Sequence, residues 1–309
     1  MADSHRTVQA LALKEEATYI KDLVKRGGPN PSEYAPLSAW YLRIMASYYR
    51  GEISFTSIRV LWEAFGESFT PRTMQGFVVT KPHGYHGDFE VIDRIYTQWV
   101  KLEEHLQKWD LWFHQLHAPR AVRNRKVYFH SVLNDMLLAR CANRTSVLNV
   151  GSGPGRDVWE FLEKTSRADV FFTCLDHDIR ALVYARALLA DHSGKVDFQH
   201  CPILHFSPNR RFDLVWCAGV FDYFDDRVFR IALKRFLRWV ADDGQIVLGN
   251  FSPYNPTRPI MEFGGWKLIH RSESDLINLA VQSGVDRNRI AIGQEPEGVN
   301  IFLHIWNKG

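Results

Sequence analysis

The chain has 309 residues, 46% of them hydrophobic, with 38 basic against 35 acidic side chains and a formal charge of +3. That length suffices for one large buried core or two modest ones, and two are expected. The charges are spread along the chain rather than gathered in a tail, so composition makes no demand for a nucleic-acid partner. Cys141, Cys174, Cys201 and Cys217 show no CxxC pairing, and three of them lie in or beside apolar runs, where a thiol behaves as a small hydrophobe. The first 26 residues carry charges throughout, and no later run approaches the roughly 20 apolar residues of a spanning helix. A soluble, cytoplasmic protein is expected.

Taken in chain order, residues 8–26 have helical periodicity and stop at GGPNP, where glycines cap a helix and prolines prevent its continuation. Near 33–49, 54–66, 88–115 and 119–140, apolar and aromatic residues recur at three- and four-residue spacing. Residues 1–143 are therefore predicted as an N-terminal all-helical lid domain. Past Arg144 come the strand candidates SVLNV, DVFFTCLD, KVDFQH, FDLVWCAG, GQIVLGNF, IAIGQ and VNIFLHIW, the earlier ones separated by helical stretches. This alternation predicts an α/β domain over 144–309 with a parallel sheet. Such a sheet binds ligands outside the carboxyl ends of its strands, so the loops after VLNV, TCLD and VWCAG should converge.

Gly151, Gly153 and Gly155 in VLNVGSGPG allow a tight turn and close backbone approach to a ligand, and the following helix offers unpaired N–H groups. Asp176 ends the second strand in CLDHD, 21 residues past Gly155, where a carboxylate accepts from both ribose hydroxyls of a nucleoside. Asp178 reads instead as the cap of the next helix. His177 lies either along an adenine or at the surface.

The turn is GxGxG rather than GxGxxG, and the sheet ends in two strands linked by GQEPEG, which predicts an antiparallel hairpin. This arrangement resembles the class I S-adenosylmethionine (SAM)-dependent methyltransferase fold, a Rossmann-like sheet, with VLNVGSGPG, LDHD, FDLVWCAGVFDYF and DDGQIVLGNF as its cofactor loop, ribose acid, fourth strand and fifth strand. KPHGYHGDFEVIDRIY, PRAVRNRKVYF and GNFSPYNPTRPIMEFGGWKLIHRSESDL look like the extracellular-factor 3-hydroxypalmitic acid methyl ester biosynthesis proteins. Methyltransferase-like SAM cyclases with a helical lid are a further resemblance.

By position, the resemblance implies that Gly151, Ser152, Gly153 and Gly155 face the methionine part of SAM, Asp176 and His177 the adenosine, and Ala218 and Gly219 the sulfonium side. After the third strand, Cys201 and Pro202 stand where an adenine-binding Asp or Asn is common, which leaves adenine to the backbone of Cys201 and Ile203. Arg123 or Arg125 would hold a carboxylate through a planar bidentate contact, SAM's own or that of an acid substrate; Arg123 is the chosen candidate. Tyr85, Asn149, Phe221 and Tyr223 are the candidate positioning residues at the reacting centre, Tyr85 offering its ring to the sulfonium. Asp88 reads as a helix cap. Asn250, Ser252, Asn255 and Arg258 either line the acceptor side or organise a proline-bounded turn. No metal-ligand spacing or covalent-catalysis motif is visible.

Asn149 stands where such loops often carry an acid that pairs with the ammonium of SAM. A neutral residue is either tolerated there or leaves the amine unprotonated and nucleophilic, since an α-amine titrates at roughly 7.7–8.0. The first case implies a small-molecule methyltransferase acting on a carboxylate such as a hydroxy fatty acid. The second implies a SAM cyclase that forms azetidine-2-carboxylate and methylthioadenosine. A SAM-binding regulator and a nucleic-acid methyltransferase rank below both, because AGVFDYF is not the [DN]PP[YF] of enzymes that methylate flipped bases. The expected partner is a small molecule, with no nucleic acid, no membrane span, and a homodimer as the candidate assembly.

Overall fold

The computed structural model describes residues 2–140, 144–165 and 169–307, with side chains from residue 13 onward. Cys141 and the expected boundary at 143 lie outside the described residues. The chain packs as two compact units that interleave in sequence: 1–87, 97–119 and 256–267 in one, and 88–96, 120–255 and 268–309 in the other. This differs from a single cut at 143, because two helical segments join the sheet and one later segment joins the helices.

The helical unit contains α1 (Ala2–Lys25), α2 (Tyr34–Tyr49), α3 (Phe55–Trp62) and α4 (Met74–Thr80). GGPNP ends α1 as expected, with Gly27 at φ +75° and the Gly28 N–H bonded to the Leu23 carbonyl at 2.8 Å. The stretch 88–115 is not one helix. It divides into α5 (Phe89–Tyr96), which belongs to the sheet unit, and α6 (Glu104–Gln115), which belongs to the helical one. Buried Asp110 on α6 accepts from the Lys101 N–H at 2.8 Å and the Met74 N–H at 2.7 Å, fixing both the break and the start of α4. The core is aromatic: Tyr41 stacks on Trp112 at 5.4 Å and meets Phe263 edge-on at 4.9 Å.

In the sheet unit, α7 (His117–Ala139, from Arg120 onward) precedes β1 (Thr145–Val150), α8 (Arg156–Lys164), β2 (Val170–Asp176), α9 (Ile179–Leu188), β3 (Val196–His200) and β4 (Phe212–Cys217). Then come α10 (Asp226–Trp239), β5 (Val240–Phe251), α11 (Arg258–Phe263, in the helical unit), α12 (Glu273–Gln282), β6 (Ile290–Gln294) and β7 (Asn300–Trp306). The strand order is β3-β2-β1-β4-β5-β7-β6, parallel except for β7, which runs antiparallel to both β5 and β6. The expected hairpin is present. In its GQEPEG turn the buried Glu295 carboxylate accepts from the backbone N–H groups of Glu297, Val299 and Asn300 and from Asn124 Nδ2 on α7, at 2.8–3.0 Å.

Both faces of the sheet are covered, which explains why its parallel strands read as near-continuous apolar runs. Phe129, Leu133 and Leu137 of α7 and Val158, Phe161 and Leu162 of α8 cover one face. Phe229, Leu233 and Phe236 of α10 and Leu276 and Leu279 of α12 cover the other. The order of strands reverses between β1 and β4, and the loops leaving their carboxyl ends flank the switch point.

Candidate active site at the β1–β4 switch point

The glycine turn is tied to the end of the neighbouring strand. Gly151 and Ser152 N–H both donate to the Leu175 carbonyl, at 2.8 and 3.1 Å. Gly151, Gly153 and Gly155 have φ of +65°, +54° and +68°, the left-handed region that costs a side-chain-bearing residue strain. Their surroundings differ. A Cβ on Gly151 would lie 2.3 Å from Val220 Cγ2, and one on Gly155 would lie 3.1 Å from Ala185 Cβ, whereas one on Gly153 would meet nothing within 4 Å. Gly153 is thus the open point of the turn.

Its N–H donates to Asp176 Oδ2 at 2.8 Å, and Oδ1 of the same carboxylate accepts from the Asp178 N–H at 2.9 Å. The turn and the acid, expected to meet on adjacent strand ends, do meet. Asp178 caps α9 through the Arg180 N–H at 2.9 Å, and Asp88 caps α5 through Glu90 and Val91, both as expected. His177 is mostly exposed at the rim, its Nδ1 3.3 Å from Asp176 Oδ1, and the carboxylate raises its pKa.

Asn149 is buried, and its Nδ2 donates to Asp157 Oδ2 at 3.1 Å. A carboxylate thus lies beside the strand end after all, on Asp157 in the first turn of α8. Burial raises the Asp157 pKa, opposed by the Val158 N–H, Asn149, His130 and Arg125. Nothing marked Asp157 in the sequence, since its value lies in facing Asn149 across the glycine turn.

Across the switch point, Arg125 of α7 is buried, with Nη1 donating to the Ala218 carbonyl at 3.0 Å and Nε to Tyr96 Oη at 3.2 Å. Burial lowers its pKa, but Tyr96, Asp222 and Asp157 more than offset this and leave it raised. A Cβ on Gly219 would sit 3.2 Å from Arg125 Nη1, so the small residue makes room for a guanidinium rather than for an acceptor. Arg123 does not fill this place. It is half-buried, and burial and the Arg120 charge lower its pKa against the opposing effect of Glu297.

Several expected residues serve the scaffold instead. Phe221 is fully buried in the core, edge-on to Phe229 at 4.6 Å and to Phe236 at 5.6 Å, so it cannot wall a ligand. Tyr223, two residues on, is 44% exposed and remains a candidate. Ser152 is buried with its hydroxyl beside the Cys174 thiol, and its N–H is already taken by Leu175. The Cys201 N–H is bonded to the Asp176 carbonyl at 3.0 Å and is not open to adenine, and the Ile203 side chain packs against the core. Asn250 bonds Arg271 and the Ile269 carbonyl, Ser252 bonds the Gly298 carbonyl, Asn255 approaches His270 at 3.4 Å and Arg258 pairs with Glu262, all organising turns. Tyr85 and His86 belong to the helical unit, where His86 stacks on Trp266 at 6.0 Å and burial pushes its pKa down to about 4.

Residues 147–244 match the model of a family described as a methyltransferase domain. Among solved structures, a possible exported protein from Bordetella parapertussis is similar over 97% of both chains, with 13% identity and a TM-score of 0.60. Magnesium protoporphyrin IX methyltransferase from Synechocystis PCC 6803 with bound SAH is similar over 61% of this chain and 86% of its own, at 14% identity and a TM-score of 0.49. No curated protein sequence matches the chain. The domain match, on this strand order and glycine turn, defines a SAM-dependent transferase of the class I methyltransferase fold. SAM is its cofactor.

The residues present suit that cofactor. The open side of Gly153 would admit a close ligand, Asp176 would accept from the ribose hydroxyls, and Asp157 would face the ammonium. When bound, SAM supplies a sulfonium-activated methyl group. No described helix is long and apolar enough to cross a membrane.

Proposed function

We propose that the protein methylates the carboxylate of a small acid, such as a hydroxy fatty acid, forming its methyl ester. The observation that carries this reading is the Asn149–Asp157 pair at 3.1 Å. A carboxylate beside the crevice favours the charged form of an ammonium, and a protonated amine has no lone pair with which to attack. Asp157 therefore supports transfer to a second molecule over cyclisation, which depends on an amine without a counter-charge. Buried Arg125 adds a fixed cation at the end of β4, which favours an anionic acceptor.

An ionised carboxylate is already a nucleophile at neutral pH, so the protein has to position it in line and exclude water rather than remove a proton. Tyr223 is a positioning residue in this reading. The test is incubation with methyl-labelled SAM in the presence and absence of hydroxy fatty acids. Base-labile label in the organic phase together with S-adenosylhomocysteine is expected; methylthioadenosine formed without acceptor would replace this reading with cyclisation.

A further inference from the structure

The outer face of α10 carries charge that nothing described around it neutralises. Over 14 residues the helix holds Arg227, Arg230, Lys234, Arg235 and Arg238 against Asp226 alone, more net charge than the +3 of the entire chain. Phe229, Leu233, Phe236 and Trp239 are buried in the core of the sheet unit. Arg227, Ile231, Lys234 and Arg238 are exposed, and their spacing of four, three and four residues sets them in one row along the other side.

The carboxylates nearest in sequence are committed elsewhere. Asp225 caps the helix through the Val228 N–H at 2.8 Å, and Asp226 pairs with Arg271 at 2.9 Å. Past the helix end, Asp242 pairs with Arg211 at 2.7 Å and Asp243 with Arg140 at 3.0 Å. On α12, which packs against α10, Asp275 closes a capping box with Ser272. Arg230 and Arg235 reach neutral partners only, Gln282 Oε1 at 2.8 Å and the Phe206 carbonyl at 3.3 Å.

This arrangement costs the helix stability. Arg230 and Lys234 stand four residues apart, as do Lys234 and Arg238, a spacing at which like charges destabilise a helix. The macrodipole accounts for Arg238 in the last turn, whereas Arg227 in the first turn opposes it. Ile231, in the middle of the row, is 42% exposed, and Val281 on α12, beside the Gln282 that Arg230 holds, is 45% exposed. Cations around exposed aliphatic groups match a surface that is anionic at its headgroups and apolar just beneath. A nucleic-acid strand fits less well, since the row offers no aromatic ring on which a base could stack.

We propose that the outer face of α10 docks the protein on an anionic phospholipid bilayer, the cations meeting headgroup phosphates and Ile231 entering the headgroup boundary. The docking is peripheral, because the apolar face of the helix stays in the core. It stands on α10 alone; its use would be to bring the enzyme to the bilayer into which a hydroxy fatty acid, the acceptor proposed above, partitions.

Co-sedimentation of the full chain with phosphatidylcholine vesicles, with and without phosphatidylglycerol, tests this. Neither SAM nor acid is present, so the outcome is independent of the proposed reaction. Binding is expected only with phosphatidylglycerol, and it weakens as salt rises. Arg227→Gln, Lys234→Gln and Arg238→Gln together remove three exposed charges that make no described hydrogen bond or ion pair and keep a good helix former, so this protein is expected to fold. It should bind about a hundredfold more weakly. Lys14→Gln, Lys21→Gln and Arg59→Gln, on α1 and α3, change the net charge equally and should bind as the wild type does. Ile231→Ser should weaken binding about threefold. Absence of phosphatidylglycerol-dependent binding, equal weakening by the two triple variants, or tighter binding to single-stranded RNA than to the vesicles overturns the proposal.

Discussion

A carboxylate one turn into a helix can serve the same ligand atom as a carboxylate at a strand end, provided something orients it. Asn149 does so for Asp157, and the Val158 N–H holds the other oxygen at 2.9 Å. Replacement by Asp157→Asn keeps the shape and removes the charge. The expected result is S-adenosylhomocysteine affinity reduced about tenfold, as for the loss of a charged hydrogen bond, and a new trickle of methylthioadenosine when SAM is incubated alone. Chromatography of the nucleoside products checks this; unchanged affinity and no methylthioadenosine would show that Asp157 does not face the amine. The sequence exposed Asp176 and the glycines because their spacing along one strand-turn-helix unit carries the signal. It hid Asp157, which is placed by its contact to Asn149, and it offered Arg125 only beside Arg123, since the contact to the end of β4 that separates them is not written in the local sequence; it favoured Phe221 because an aromatic beside a strand end looks alike whether it faces a ligand or the core.

At the scale of elements, the glycine turn separates folding from binding within five residues. Gly151→Ala would combine strain at φ +65° with a clash against Val220, while Gly153→Ala at φ +54° meets open space. The first change is expected to lower stability by about 2–3 kcal/mol and the second by roughly 1 kcal/mol. Cofactor affinity reverses the order for the folded proteins, since only the methyl group on Gly153 projects to the open side. Denaturant melts with parallel calorimetry test both. The seven strands were legible because each is an apolar run bounded by turn residues, and the hairpin because of its GQEPEG link. The break at 97–103 was not, since α5 and α6 share helical periodicity across it and only Asp110 reveals the stop. Nor was α4, a seven-residue helix too short to set a period. Membership of α5 in the sheet unit depends on Asp93, Arg156 and Tyr184, which lie far apart in sequence.

At the scale of the whole molecule, two buried groups of the sheet unit give its stability opposing responses to pH. His304 on β7 is neutral: Gln245 Nε2 approaches Nδ1 at 3.0 Å, Tyr128 Oη approaches Nε2 at 2.8 Å, and burial pushes its pKa down to about 4. Because the unfolded chain protonates this histidine near 6.5, the unfolded state binds the extra proton first, and stability is lost as pH falls from 6.5 toward 4. Asp222 behaves in the opposite sense. Burial raises its pKa to about 7 despite the Phe251 N–H, Arg125 and Arg271, so the folded state keeps a proton that the unfolded chain releases near 3.8. Its contribution is full at acid pH and is lost as pH rises toward 7. Each limit is worth roughly 3–4 kcal/mol, and between pH 4 and 6.5 the two slopes nearly cancel. The Asp222→Asn protein, relative to wild type, should therefore lose stability on acidification through this window, by about 3 kcal/mol in total, and the His304→Gln protein should gain it by a similar amount. Urea unfolding of the three proteins at pH 4.5, 5.5 and 6.5 reads the slopes directly, and parallel lines for all three would show that neither group couples folding to protons.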